Sequence, residues 1–277
     1  MQQFTLEILC QIIGIGSASG ILLKDNKLYL ISDNASFLYE YRLDSKILNK
    51  NRLFENEITE NIPKIQKPDL EAIANFGDDF YIVGSGSTEK RNKMFRFNAV
   101  TKKVDTIDLT NLYLSMQRFG NIKSEDFNIE GLVYNGDQWF FFQRGNNGSG
   151  KNGLFTVSSK DMENEFNILY NSYKLPKIKG VQATFTDAIL VDGLLYFLAT
   201  AEDTDSAYDD GQVLGSLIGT IDLKTMKIVF SKKISSTHKF EGITLYKNTN
   251  ESLEFLLCED NDTEKLESTI YKLTLQK

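Results

Sequence analysis

Three glutamates in similar local sequences could bind one metal ion together. Each stands at the start of a short apolar run, and two further runs align in the same frame with a hydroxyl residue at that position. The five segments are SASGILL (17–23), DLEAIAN (69–75), NIEGLVY (128–134), FTDAILV (185–191) and FEGITLY (240–246). The shared position, called the column below, holds Ser19, Glu71, Glu130, Thr186 and Glu241, with gaps of 52, 59, 56 and 55 residues.

Carboxylates that meet at one point raise one another's pKa values, so they take up protons unless a cation compensates their charge. An all-oxygen donor set without His or Cys favours a hard ion, and Ca²⁺ tolerates irregular geometry better than Mg²⁺. The column therefore predicts a calcium site, to which Asp187 could add an oxygen. The alternative is local, because a glutamate can also cap backbone amides in the turn before its strand.

The elements around the column predict how its members meet. Each motif is followed by a turn with a second strand-like run and then by a third; a fourth run follows in four of the five units. A radial repeat of four short strands is typical of a β-propeller, and no segment shows sustained helical apolar spacing. We predict an all-β, five-bladed propeller forming a single domain over 1–277. The N-terminal run FTLEILCQII completes the last blade, and the column lies around the axis.

Loops between the second and third strands should open on the same side as the column. Functional side chains concentrate on such loops, although solvated loops have a similar composition. We expect Arg144, Ser87 and Asp33 to bind substrate there, because a planar cation can clamp phosphate or carboxylate. Glu202 or Asp260 could act as a catalytic base.

The composition limits the classes of molecule that the protein is expected to bind. The chain carries 31 Lys+Arg against 38 Asp+Glu, and no basic cluster stands out along it, which disfavours nucleic acid and anionic membranes as partners. Cys10 and Cys258 have no metal or redox spacing and should be buried thiols. The single histidine, His238, is expected at a surface or turn. We predict a cytoplasmic monomer that binds a small molecule, with secretion or a periplasmic location open if a leader was removed.

The motifs resemble the calcium-activated nucleotidases, or apyrases. In that family a five-bladed propeller holds one calcium in a ring of Ser, Glu, Glu, Ser and Glu; here Thr186 replaces the second serine. FYIVGSG, QWFFFQR, ATAED and KFEGITLY also look like the corresponding blades. The chain is shorter than those enzymes, and their N-terminal extension has no counterpart. A bacterial propeller group that keeps the ring without an assigned activity, and the phytase-like propellers, resemble it as well.

Two functions follow from these observations. The first is calcium-dependent hydrolysis of a phosphoanhydride or phosphoester at the mouth of the axis. The second is a non-catalytic propeller that binds a ligand or protein and in which calcium is only structural.

Overall fold

Runs of aromatic and branched residues separated by Gly, Asn and Asp turns fold into five four-stranded antiparallel sheets. The computed structural model describes residues 3–145, 151–203, 211–260 and 265–277. The first strand, β1 (Phe4–Ile13), belongs to the fifth blade. The other strands follow in chain order, from the innermost strand of each blade to the outermost.

The bounds of the strands are as follows. The first blade contains β2 (Ala18–Lys24), β3 (Lys27–Ser32), β4 (Phe37–Arg42) and β5 (Leu48–Arg52). The second contains β6 (Leu70–Phe76), β7 (Asp79–Gly84), β8 (Lys93–Asn98) and β9 (Val104–Asp108). The third contains β10 (Ile129–Tyr134), β11 (Trp139–Gln143), β12 (Asn152–Asp161) and β13 (Glu165–Tyr173). A short hairpin, β14 (Lys177–Ile178) and β15 (Val181–Gln182), precedes the fourth blade. That blade contains β16 (Thr184–Val191), β17 (Leu194–Asp203), β18 (Gln212–Asp222) and β19 (Lys227–Lys233). The fifth contains β20 (Phe240–Asn248), β21 (Ser252–Glu259), β22 (Glu267–Gln276) and β1.

The sheets form a ring, as predicted. Each inner strand contacts the inner strands of both neighbouring blades, and β20 of the fifth blade contacts β2 of the first. The ring closes where β1 pairs antiparallel with β22, from Phe4 opposite Leu275 to Ile13 opposite Glu267. The five-bladed propeller and its closure by the N-terminal strand are therefore confirmed.

The hydrophobic core lies between the blades. Phe185 of the fourth blade packs edge-on against Phe142 of the third, with 5.2 Å between ring centroids. Such packing fixes each blade against the next and holds the inner strands at a constant distance from the axis. Of the two cysteines, Cys258 is buried as expected, whereas Cys10 is only half-buried because it lies on the outermost strand; both are free thiols.

The expectation that no segment has helical spacing is wrong in one place. An α-helix, α1 (Thr110–Gly120), connects the second and third blades and buries Leu112, Tyr113 and Met116. Three buried residues in a single short helix produce too brief a pattern to stand out in the sequence. Two 3₁₀ turns are also present: Glu89–Arg91 lies between β7 and β8 of the second blade, and Ser124–Asp126 precedes β10 of the third. Among the described residues, no helix is long and apolar enough to cross a membrane.

Candidate functional site

Every column residue lies on a β-bulge of an inner strand. The pairing of inner and second strands shifts register at the same point in all five blades. The shifts fall between Ala18 and Gly20, Leu70 and Ala72, Ile129 and Gly131, Phe185 and Asp187, and Phe240 and Gly242. A bulged residue has no partner in the ladder, and its side chain is re-aimed. The fold thus frees the same five positions from the sheets at one end of the ring, called the mouth below.

The two hydroxyl members of the column join neighbouring blades. Ser19 Oγ donates to the carbonyl of Leu70 at 2.5 Å, and Thr186 Oγ1 donates to the carbonyl of Phe240 at 2.7 Å. In both cases the acceptor is the residue immediately before the glutamate of the next blade. A hydroxyl that donates its proton keeps oxygen lone pairs, so both oxygens retain the capacity to bind a cation.

The residue after the column is small because the inner strands approach closely. A Cβ added to Gly131 would lie 3.2 Å from Cα of Asp187, and one added to Gly242 would lie 2.9 Å from the Ile21 nitrogen. Glycine therefore recurs after the column glutamate because there is no room for a side chain at that position.

Asp187 takes the place of this small residue in the fourth blade. It is 2% exposed, and its Oδ2 accepts a hydrogen bond from the Ile243 nitrogen at 2.8 Å. Burial raises its pKa well above the ordinary value, while hydrogen bonds from the backbone of Ile243 and Ala188 oppose the rise. Asp187 therefore satisfies a backbone donor on the inner edge of the fifth blade.

The three column glutamates are buried and electrostatically coupled. Glu71 is 9% exposed, Glu130 3% and Glu241 5%. Burial raises the pKa of Glu71 well above its ordinary value, and the charges of Glu130 and Asp69 raise it further. Burial also raises the pKa of Glu241 strongly, with the charge of Glu130 adding to the rise, and it raises the pKa of Glu130. These carboxyl groups lack sufficient compensating charge to ionise normally.

Arg144 and Lys239 compensate part of this charge on one side of the mouth. Arg144 lies 3.4 Å from Glu130 and 2.6 Å from Glu202. Lys239 Nζ lies 3.1 Å from Glu241, 3.4 Å from Glu202 and 3.2 Å from Asp260. Burial raises the pKa of Glu202, but the charges of Lys239 and Arg144 outweigh it and lower the pKa overall.

A second charged group continues the network on the other side. Lys67 contacts Asp33, and its Nζ lies 2.8 Å from Asp69. Arg91 lies 2.8 Å from Asp69 and 2.6 Å from the hydroxyl of Ser87. One ligand oxygen each from Asp33, Asp69 and Glu71 lie within 4.8 Å of one another. Within the described part of the chain, these are the three acids whose ligand oxygens lie so close together. Glu130 instead lies beside Arg144, and Glu241 beside Lys239.

The structure thus collects the predicted residues at the mouth in two groups. Asp33 lies with Glu71, and Ser87 joins this group through Asp69; Arg144 and Glu202 lie with Glu130. Asp260 reaches Glu241 through Lys239. Whether these residues bind metal or substrate stays a prediction.

Sequence reasoning missed Lys67, Asp69 and Lys239. For Asp69 and Lys239 the signal was a polar residue two positions before each column residue, which an extended chain places on the same side; Lys67, four positions before Glu71, does not follow this pattern. Lys239 contacts Glu241 from this position, and Asn128 Nδ2 donates to Glu130 at 2.6 Å. The full set at this position is Ser17, Asp69, Asn128, Thr184 and Lys239.

His238 lies in the connection between β19 and β20, where its side chain is 33% exposed and contacts residues of the fifth blade. Its Nδ1 lies 2.7 Å from Glu259 Oε1, and the Tyr271 hydroxyl donates to Glu259 Oε2 at 2.7 Å. The imidazole stacks near Phe240, with 5.4 Å between ring centroids.

Comparison with known proteins places this ring in a sequence family. Residues 14–275 match the model described as "Family of unknown function (DUF6929)". The chain belongs to this family. The DUF6929 match contains all five column residues, as well as Lys67, Arg144 and Lys239. No curated protein sequence matches the chain.

Solved structures share the fold of this DUF6929 protein at low sequence identity. Glutaminyl cyclase of Myxococcus xanthus is 11% identical with a TM-score of 0.56, covering 98% of this chain and 96% of its own. A glycosyl hydrolase from Bacteroides ovatus is 10% identical with a TM-score of 0.55, covering 93% and 84%. The PQQ-bound aldose sugar dehydrogenase of Streptomyces coelicolor is 11% identical with a TM-score of 0.51, covering 99% and 98%. These similarities establish the fold.

Proposed function

We propose that the mouth of the propeller binds calcium and that the protein is a calcium-dependent hydrolase of phosphoester or phosphoanhydride substrates. The observation that carries the proposal is the placement of Glu71, Glu130 and Glu241 on equivalent bulges, buried and with raised pKa values. Like-charged acids in a desolvated site either bind protons or bind a cation.

The donor chemistry of the column suits calcium, although without the ion the described acid oxygens that lie within 4.8 Å of one another are those of Asp33, Asp69 and Glu71. The column consists of three carboxylates with the hydroxyl oxygens of Ser19 and Thr186, and calcium takes about six to eight oxygen ligands, including water. Resident cations already compensate some of the acids, but acids still outnumber cations in the network. The acids are Asp33, Asp69, Glu71, Glu130, Glu202, Glu241 and Asp260; the cations are Lys67, Arg91, Arg144 and Lys239. The remaining negative charge favours binding of a divalent cation.

Positively charged side chains beside the acids suit a phosphorylated substrate. Calcium would supply the charge that binds phosphate oxygens and polarises a water molecule. Arg144, oriented by Glu130 and Glu202, presents a planar cation that can offset charge on a transferring phosphoryl group. On the opposite side, Ser87 and Arg91 offer further donors to the same group.

The two acids proposed as bases differ in their surroundings. Two cations hold Glu202 with a lowered pKa, so Glu202 positions Arg144 and Lys239 rather than accepting a proton. Asp260, which contacts Lys239, is the base in this proposal. The column order and its resemblance to the apyrases support a nucleotide-type substrate.

The test combines metal binding with turnover. Calcium binding would be measured by calorimetry, and phosphate release would be assayed across nucleoside di- and triphosphates with calcium or with EDTA. We expect calcium-dependent release that is lost in Glu71→Gln/Glu130→Gln/Glu241→Gln and kept in Glu251→Gln, which makes the same change at an exposed residue. Equal release from the triple variant would refute the hydrolase.

One observation favours a second function, a binding platform without catalysis. Each column glutamate already lies near a resident cation: Lys67, Arg144 or Lys239. In this alternative calcium stabilises the ring, and the mouth binds a small charged ligand without turnover. It predicts calcium binding and a large chelation-dependent loss of thermal stability, with no phosphate release from any substrate of the panel.

A further inference from the structure

A basic pocket lies on the perimeter of the fourth blade. It has a volume of about 240 Å³ and is formed by the connection before β16 and the end of β19. Its lining residues are Pro176, Lys177, Ile178, Lys179, Leu217, Ser231, Lys232 and Lys233. The sequence shows no basic cluster because these four lysines come from two segments about 50 residues apart. The fold brings them together, so a basic group that is not visible along the sequence forms in the folded chain.

Strand geometry fixes two of the lysines. Lys179 and Gly180 form the two-residue turn between β14 and β15, and both have positive φ angles, 50° and 91°. Such a turn is typical of a tight hairpin and holds Lys179 at its tip. Lys233 pairs with Leu217 at the end of β19, and its Nζ donates to Ser236 at 3.1 Å.

Three of the four lysines have no acid beside them among the residues that the structure describes. Lys177, Lys179 and Lys233 are exposed and form no ion pair with any acid in the described ranges. Lys232 differs, since its Nζ lies 5.0 Å from the centre of the Phe4 ring. In a protein of net charge -7, a group of like-charged side chains around a cavity concentrates positive potential locally.

We propose that this lysine pocket binds a small phosphate-bearing anion. A phosphate group carries about two negative charges and several acceptor oxygens, which suits a pocket lined by lysines from two segments of the chain. The pocket is smaller than the roughly 300–1,000 Å³ that holds a drug-sized ligand, so it suits a phosphate or diphosphate group rather than a larger molecule.

The pocket lies on the mouth side of the ring but is separate from the axial acids. Lys233 and Phe185 lie at the same height in the fourth blade, because successive strands are paired there. The cross-strand pairs are Lys233–Leu217, Leu217–Ala199 and Ala199–Phe185. Phe185 immediately precedes Thr186 of the column. Because the lysine pocket uses none of the axial acids, its anion binding does not depend on calcium or on hydrolysis.

The test is calorimetric titration of the full chain with sodium tripolyphosphate at low salt, in buffer without divalent cations. We expect saturable binding that weakens at least tenfold in Lys179→Gln/Lys233→Gln. Lys224→Gln/Lys227→Gln removes the same charge from the opposite end of the same blade and should bind like the unmodified protein. Binding should also weaken steeply as ionic strength rises.

Parallel titrations separate the sources of the anion. Inorganic phosphate, sulfate, a poly-glutamate peptide and anionic lipid vesicles would be compared under the same conditions. Preference for the tripolyphosphate or phosphate supports the proposal. The proposal is overturned if no titrant binds or if the two pairs of lysine substitutions weaken binding equally. It is also overturned if only the peptide or the vesicles bind, because the pocket would then serve a macromolecular partner. Circular dichroism of both variants checks that the fold is kept.

Discussion

The Thr186 hydroxyl donates to the carbonyl of Phe240 at 2.7 Å and thereby ties the bulge of the fourth blade to the strand that carries Glu241. Ser19 makes the equivalent bond to Leu70, one residue before Glu71. The hydroxyl members of the column therefore have a structural role that is independent of any metal. They fix the backbone from which the glutamate of the next blade projects.

Thr186→Val tests this role. The substitution keeps the shape but leaves the buried Phe240 carbonyl without its donor, which costs about 1–3 kcal/mol. We expect a corresponding loss in the free energy of unfolding by urea, and a smaller loss for Thr186→Ser, which retains the hydroxyl. If valine and serine destabilise equally, the hydrogen bond contributes nothing.

Arg144 should be essential for the stability of the calcium-free protein. It is the cation beside both Glu130 and Glu202, and its removal leaves two buried carboxylates poorly compensated. Arg144→Met should cost about 3 kcal/mol or more in unfolding free energy measured in EDTA. Adding Glu130→Gln to this variant should recover part of the loss. An additive double variant would show that the two side chains do not interact.

The column glutamates predict how stability depends on pH without calcium. Their pKa values are higher in the folded state than the ordinary value of about 4.3 in the unfolded chain. At these groups the folded state therefore binds more protons, so the stability that they contribute is fully present at low pH and is lost as pH rises through the folded pKa. Thermal melts in EDTA should show a higher melting temperature near pH 5 than near pH 8.

Calcium should flatten this pH dependence, because a bound cation compensates the ionised carboxylates. Glu71→Gln/Glu241→Gln should flatten it as well, even in EDTA. A melting temperature in EDTA that is the same at both pH values would contradict the electrostatic account of the column.

Gly242 should not tolerate a side chain. A Cβ there would lie 2.5 Å from the sulfur of Cys258 and 2.9 Å from the Ile21 nitrogen. Gly242→Ala should destabilise the protein by about 1–3 kcal/mol in urea denaturation. Gly242→Ala/Cys258→Ala removes the clash with the Cys258 sulfur but not the clash with the Ile21 backbone. It should therefore restore only part of the lost unfolding free energy. The double variant is compared with Cys258→Ala alone.

The sequence predicted the architecture well because a propeller repeats its local pattern. The column and the following strand-like runs gave the blade number, and the run Phe4–Ile13 was identified as the closing strand. The pairing of β1 with β22 confirms that identification. Closure could be deduced because the fifth unit lacks one strand that the other four possess.

The ion-pair partners of Lys67 and Arg144 could not be predicted in the same way. Lys67 meets Asp33 across 34 positions of the chain, and Arg144 meets Glu202 across 58. Such contacts depend on the paths of irregular loops, which have no period. Helix α1 was missed for a related reason, since among the described residues it occurs in one connection and does not repeat from blade to blade.

The pairing of β1 with β22 also has a consequence for how the molecule assembles. During synthesis the earliest strand must wait, unpaired, until the latest one leaves the ribosome, so four blades can acquire their hydrogen bonds before the fifth is complete. Loop closure over nearly the whole polypeptide makes this a slow and late event. Linking the end of β22 to the start of β1 and opening the chain between two other blades would let every sheet form from contiguous sequence, and such a permutant should refold faster.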